Sequence, residues 1–208
     1  MCKYVFILIL LLFSSVQAQE EKMTVFEIES FKILIKEVAE KTNTITADFV
    51  QIKHLDFLTN DIETIGKMAF KTPNWVKWEY TKPYVYSVIF KENLILINDG
   101  GTKSDVKISA SKLFKKLNDL IVKSVTGDMF DEENFNISYY KEAAAYKVIF
   151  ASKDKKLASL IETFVIHFKK ETGAVMEVKM IEPSQDFTKI VFTNRIENSK
   201  LNDEVFTN

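Results

Sequence analysis

Residues 66–83 constrain the fold more than any other part of the chain, because two alternating apolar segments meet at Pro73 and end at Pro83. Gly66, Met68, Phe70 and Thr72 share one face of the first segment. Val76, Trp78 and Tyr80 share one face of the second, with Lys77 and Glu79 between them. A period of two belongs to a strand, whose successive side chains point to opposite sides of a sheet. The stretch predicts neighbouring strands with one greasy face, and it holds no catalytic pattern.

The first residues read as a secretory signal peptide. Lys3, the apolar run over 5–13 and the small-residue segment 14–18 supply its three regions, with cleavage expected after Ala18. The run is too short for a permanent anchor, and no later stretch of about 18 apolar residues follows. Cys2 precedes the run and leaves with it, so it is not the lipid-modified cysteine of an exported lipoprotein. The mature chain then has no cysteine, which excludes disulfides, a thiol nucleophile and thiolate metal sites.

Removing residues 1–18 takes away one lysine and no acid, moving the formal charge from −1 to −2. A nucleic-acid binder carries a basic excess that neutralises phosphates, so nucleic acid is not an expected partner. The lysines at 153, 155 and 156 read as a solvated hairpin tip. The length left after cleavage suits one domain, residues 19–208, expected to be a monomer. Only 3 prolines and 5 glycines occur, with no linker and no repeat.

Along the chain, residues 24–41 place Phe26, Phe31, Leu34, Ile35 and Val38 at helical spacing, with Thr24 and Glu27 as a capping pair. Strands follow at 45–52, 62–71, 75–80, 85–91 and 94–97. Asp99-Gly100-Gly101 reads as a turn, whereas Lys91-Glu92-Asn93 leaves the register of its strands open. A second helix is expected at 109–124, with Leu113, Phe114, Leu117, Leu120 and Ile121 on one face. Strands resume at 135–140, 146–151, 161–169, 175–181 and 187–195. This order predicts a mainly β fold with some α, a curved antiparallel sheet with helices laid against one side.

Signs of catalysis are sparse. His54 and His167 are far apart in sequence and belong to no metalloprotease motif, and no nucleophile elbow occurs. Asp128, Asp131, Glu132 and Glu133 lack the alternating ligands and glycine of a calcium loop. No metal, cofactor or enzymatic activity is expected. Arg195, the single arginine, reads either as an exposed strand charge or as a head-group contact at a cavity rim.

The alternating apolars ending at Pro73, the aromatic Trp78-Glu79-Tyr80 and the second proline at Pro83 resemble the periplasmic outer-membrane lipoprotein carrier family LolA. Ile45, Ala47, Phe49 and Gln51 strengthen the resemblance, as do Phe187, Phe192 and Asn194 with Asn198, Leu201 and Phe206. The resemblance implies an unclosed, strongly curved antiparallel β-barrel, or half-barrel, with helices covering the concave side. Its apolar cavity would be lined by Phe49, Met68, Phe70, Val76, Trp78, Tyr80, Phe164, Ile166 and Phe168. The helix at 109–124, together with the N-terminal one, would form a movable lid over it. The cargo would be acylated lipoproteins or another amphiphile, such as a glycolipid or pigment precursor. An inner-membrane exporter would load it and an outer-membrane acceptor would receive it. Thr72 and Pro73 stand at the mouth, where family members often carry an Arg latch before the proline. A threonine there lacks the charged fork of a guanidinium.

Overall fold

The structure, a computed structural model, describes residues 20–107, Lys123 and 127–208. The expected signal peptide and the lid face of Leu113, Phe114, Leu117, Leu120 and Ile121 lie outside the described residues.

The N-terminal helix α1 spans Val25–Lys41. It starts because Thr24 and Glu27 cap each other: Glu27 N–H donates to the Thr24 hydroxyl, and Thr24 N–H donates to Glu27 Oε2 at 2.8 Å. Lys141 also donates to Glu27, at 2.8 Å, and with Thr24 it pulls the Glu27 pKa down to about 2. Phe31 and Ile35 are the buried residues of the helix, whereas Phe26 points to solvent, contrary to its grouping with them in the sequence pattern.

Among the described residues, twelve strands form one antiparallel sheet. In chain order they are β1 (Glu21–Lys22), β2 (Thr44–His54), β3 (Ile62–Lys71), β4 (Trp75–Lys82), β5 (Tyr86–Lys91) and β6 (Leu94–Asp99). Then come β7 (Thr102–Lys107), β8 (Phe135–Lys141), β9 (Ala145–Ser152), β10 (Thr163–Lys169), β11 (Val175–Ile181) and β12 (Phe187–Glu197). Two meanders, β2 to β7 and β8 to β12, join where β12 pairs with β2. The edges β1 and β7 do not pair with each other, so the barrel stays open, as the resemblance implies.

Register explains the greasy face. Ile45, Phe70, Val76, Phe90 and Ile95 stand opposite one another across five strands; so do Ala47, Met68, Trp78, Val88 and Ile97. In the other half, Phe150, Phe164 and Met180 form one row, and Val148, Ile166, Val178 and Ile190 another. Each row puts apolar side chains on one side of the pleat. The pairing Lys91↔Leu94 fixes the register left open by the sequence, with Glu92 in the left-handed region at φ 55°.

Two large apolar clusters result among the described residues. One joins Phe31 and Ile35 of α1 to Phe135, Tyr139, Val148 and Phe168; the other gathers Ile45, Phe49, Phe70, Val76, Phe90 and Ile95. A smaller cluster forms where the chain's last turn, Asp203–Phe206, buries Phe206 against Ala69 and Ile89. Phe206 meets Trp75 at 5.6 Å, and Lys71 bonds both Asp203 and the Leu201 carbonyl.

The lysines at 153, 155 and 156 are exposed in the connection between β9 and β10, as expected, but that connection also holds a one-turn helix, α2 (Lys155–Ala158). Asp154 caps it by accepting from the amides of Lys156 and Leu157, and Leu157 is buried beneath it.

Candidate functional site

Between α1 and the sheet lies a cavity of about 390 Å³. Its roof is Ile35, Val38, Ala39 and Thr42 of α1 and the residue that follows it. Strands β3 to β5 supply one wall, with Met68, Phe70, Val76, Trp78, Tyr80, Tyr86, Val88 and Phe90. Strands β9 to β12 supply the other through Phe150, Phe164, Ile166, Val175, Val178, Met180, Ile190, Phe192 and Arg195. Met129 and Gly173 complete the lining.

Two glycines let α1 sit close. A Cβ at Gly173 would stand 3.0 Å from Ile35 Cδ1, and one at Gly127 would stand 3.1 Å from the Ala39 Cβ. Both residues also have positive φ, which favours glycine.

Of the residues expected on the lining, Met68, Phe70, Val76, Trp78, Tyr80, Phe164 and Ile166 border the cavity. Phe49 and Phe168 are packed behind it. Phe49 is held edge-on against Trp78 at 5.1 Å and Tyr80 at 5.3 Å, and Phe168 meets Phe31 at 5.2 Å. Their contacts are already satisfied by other rings, so neither offers a free face. Apart from Arg195, read from the sequence as a strand charge or a cavity-rim contact, the contributions of β5, β11 and β12 were not singled out. Their signal was the same alternation, at 86/88/90, 178/180 and 190/192.

Thr72 and Pro73 form the exposed turn between β3 and β4. Thr72 N–H donates to the Asn43 carbonyl at 2.9 Å, beside the end of α1, and its peptide bond to Pro73 is cis.

The polar groups on the wall are mostly neutral and engaged. Thr42 donates its hydroxyl to the Val38 carbonyl at 2.7 Å, and Tyr80 donates to Gln51 Oε1 at 3.1 Å. Burial, with Tyr84 and Tyr86 nearby, pushes the Tyr80 phenol up to about 12. Arg195 is the charged exception.

The histidines do not converge. His54 on β2 bonds Asp61 at 2.7 Å and stacks on Phe187, whereas His167 on β10 lies between Glu142 and Glu177 at 3.6 Å from each. Strands β11 and β12 separate them in the sheet. The acidic run is held by cations: Asp131 accepts from Lys123, and Glu132 from Lys32 at 2.8 Å. Among the described residues no group of three or more His, Cys, Asp or Glu side chains is arranged to hold a metal ion. No helix there is long and apolar enough to cross a membrane.

Comparison with known proteins agrees with this geometry. The family described as outer membrane lipoprotein carrier protein LolA matches residues 40–208. An outer-membrane lipoprotein carrier protein of Pseudomonas paraeruginosa is 27% identical over 168 residues, covering 80% of this chain and 77% of its own. Two solved structures share the fold at low identity. An uncharacterized conserved protein of Thermus thermophilus has a TM-score of 0.55 at 6% identity, covering 86% of this chain and 92% of its own. The lipoprotein LppX of Mycobacterium tuberculosis has a TM-score of 0.51 at 8% identity, covering 86% and 99%. With an open antiparallel sheet, an apolar hollow under α1 and a family match over most of its length, the chain belongs to the LolA family of outer membrane lipoprotein carrier proteins.

Proposed function

We propose that the mature protein, residues 19–208 after cleavage behind Ala18, is a single-domain periplasmic chaperone that carries lipoproteins from the inner to the outer membrane. One observation carries this reading: the apolar face of the sheet is not filled by side chains but encloses a hollow beneath α1. Exposing lipid hydrocarbon to water costs about 0.8 kcal/mol per methylene, on the order of 35 kcal/mol for three chains of roughly fifteen methylenes each. Free transit through an aqueous compartment is therefore negligible.

The cavity volume falls at the lower end of the roughly 300–1,000 Å³ seen for small-molecule sites. It shelters part of a triacyl group and leaves the polypeptide outside. Partial shelter also keeps affinity well short of the noncovalent ceiling near −20 kcal/mol, so cargo can leave. An inner-membrane exporter would load the cavity and supply the energy, and an outer-membrane acceptor would empty it.

A second reading keeps the carrier and changes the cargo to another amphiphile, such as a glycolipid or pigment precursor. Thr72 favours it, because the exposed turn between two cavity-lining strands offers only a neutral hydroxyl there. Native mass spectrometry of the protein purified from its own cell envelope tests both readings. Bound triacylated protein supports the first and a free lipid mass the second. Consistently empty protein counts against both.

A further inference from the structure

We infer that Arg195 forms an anion-recognition subsite at the edge of the acyl cavity, so that the preferred cargo carries a carboxylate or phosphate where its chain meets water. The inference rests on the reading that the cavity takes acyl chains. It adds the charge of the cargo's polar end.

The backbone turns this residue inward. Ile190 and Phe192 of β12 face the cavity, so simple alternation would bring Asn194 to the wall next. The ladder breaks there: Thr193 pairs with Asp48 and Ile196 with Thr46, which leaves Asn194 and Arg195 together opposite Ala47. Asn194 takes up the extra residue in the left-handed region at φ 51° and anchors itself by donating Nδ2–H to Asp48 Oδ2 at 2.8 Å. Asparagine tolerates that conformation better than most residues, and a bulge of this kind re-aims the side chain beside it. Arg195 thus replaces Asn194 on the wall.

Its surroundings make the charge conspicuous. Arg195 is the one charged side chain among the described residues that border the cavity, and the side chain keeps only 21% of its solvent exposure. Removing a guanidinium from water next to aromatic and aliphatic walls is unfavourable unless an anion answers it. Glu197 answers in part, accepting from Nε at 2.7 Å. That is the guanidinium's single hydrogen bond among the described residues, and its terminal N–H groups remain for an incoming anion. A planar fork of donors suits carboxylate and phosphate oxygens. An acyl chain lying against Phe192 and Ile190 would bring its polar end to this fork.

The experiment titrates the mature protein with dodecanoate, dodecyl phosphate, dodecanol and inorganic phosphate, each displacing a fluorescent acyl probe. The wild type should hold at least one of the two anionic amphiphiles about tenfold tighter than dodecanol, the size of one charge-assisted hydrogen bond. Which of the two is preferred identifies the anion as carboxylate or phosphate. Arg195→Gln should erase that preference, lowering the affinity for the preferred anion about tenfold more than the affinity for dodecanol, and Arg195→Lys should keep part of it. A preference that survives in Arg195→Gln overturns the subsite. So does equal binding of alcohol and anions by the wild type, or inorganic phosphate competing as well as dodecyl phosphate. If none of the chain-bearing compounds displaces the probe from the wild type, the carrier reading fails and the subsite with it.

Discussion

Phe49 lays its ring across the space where Gly66 would carry a side chain. The two residues pair across β2 and β3, and a Cβ at Gly66 would stand 2.4 Å from Phe49 Cζ and 2.4 Å from the Glu79 carbonyl oxygen. Packing an aromatic ring over a strand glycine restores the apolar contact that the glycine lacks. It also explains why Phe49 is in the core and not on the cavity wall.

Gly66→Ala should therefore destabilise the fold by at least about 2 kcal/mol, because the Glu79 carbonyl belongs to the backbone and has little room to yield. Phe49→Ala alone should cost about 3–5 kcal/mol through lost burial and the void it leaves. Combined with Gly66→Ala, its cost should be less than additive, since the ring clash disappears with the ring. Denaturant titrations of the two single variants and the double variant measure this. Strict additivity would show that the two residues are not coupled.

Val178 borders the cavity and packs beside the core, so a larger side chain there extends into the open volume. Val178→Trp should weaken binding of a fluorescent acyl probe by more than about tenfold, a loss above about 1.4 kcal/mol. The melting temperature should hold or rise, as filling an apolar void adds contacts. Met180→Phe offers a smaller change on the neighbouring wall position should the tryptophan prove too large. Unchanged probe binding by both folded variants would mean that acyl chains bind elsewhere.

What the sequence could reveal depended on how each residue advertises its environment. Alternation in β4 exposed the face shared by Val76, Trp78 and Tyr80, and the Thr24–Glu27 pair marked the start of α1, because both signals are local. Strand β7 gave no such signal: Thr102–Lys107 is exposed throughout and carries a single apolar residue, Val106. The turn of α2 was hidden among lysines, its cap at Asp154 and its anchor at Leu157 being individually unremarkable. Periodicity also tells which face a side chain occupies but not how deep it sits, so Phe49 and Phe168 could not be separated from Met68 or Ile166. Arg195 was less legible still, since a bulge reverses the alternation that would have assigned its direction.

Thr72 sits in the exposed turn joining two strands that line the cavity, with its amide held by the Asn43 carbonyl. Thr72→Arg replaces a short neutral hydroxyl with a long cation bearing five donors, and the exposed position accepts it without repacking. Release of acyl cargo should slow by several-fold and up to about tenfold, the effect of roughly one added charge-assisted hydrogen bond. Stopped-flow transfer of a fluorescent acylated peptide to acceptor vesicles reads this rate. Release at the wild-type rate, or faster, would remove residue 72 from the control of retention.

Glu27 couples the start of α1 to the sheet through Lys141 on β8, and the two ends of that contact define an acid-sensitive joint. Its pKa falls from 4.5 to about 2 on folding, chiefly because Lys141 and then Thr24 donate to the carboxylate. A depressed carboxylate contributes stability that is present above the unfolded value and is lost as pH falls through the folded one. The contribution should therefore be constant from neutral pH down to about 4.5 and disappear by about 2. Glu27→Gln retains an oxygen for the Thr24 amide but cannot form the ion pair. Its melting temperature should lie below that of the wild type at pH 7 and converge with it across that acid window. The difference between the two curves isolates Glu27 from Asp131, Glu132, Asp186 and Asp203, whose pKa values are also lowered and which titrate in both proteins. A melting difference that persists undiminished at pH 2 would show that the substitution acts through packing or capping, and that the Glu27–Lys141 pair does not hold the helix to the sheet.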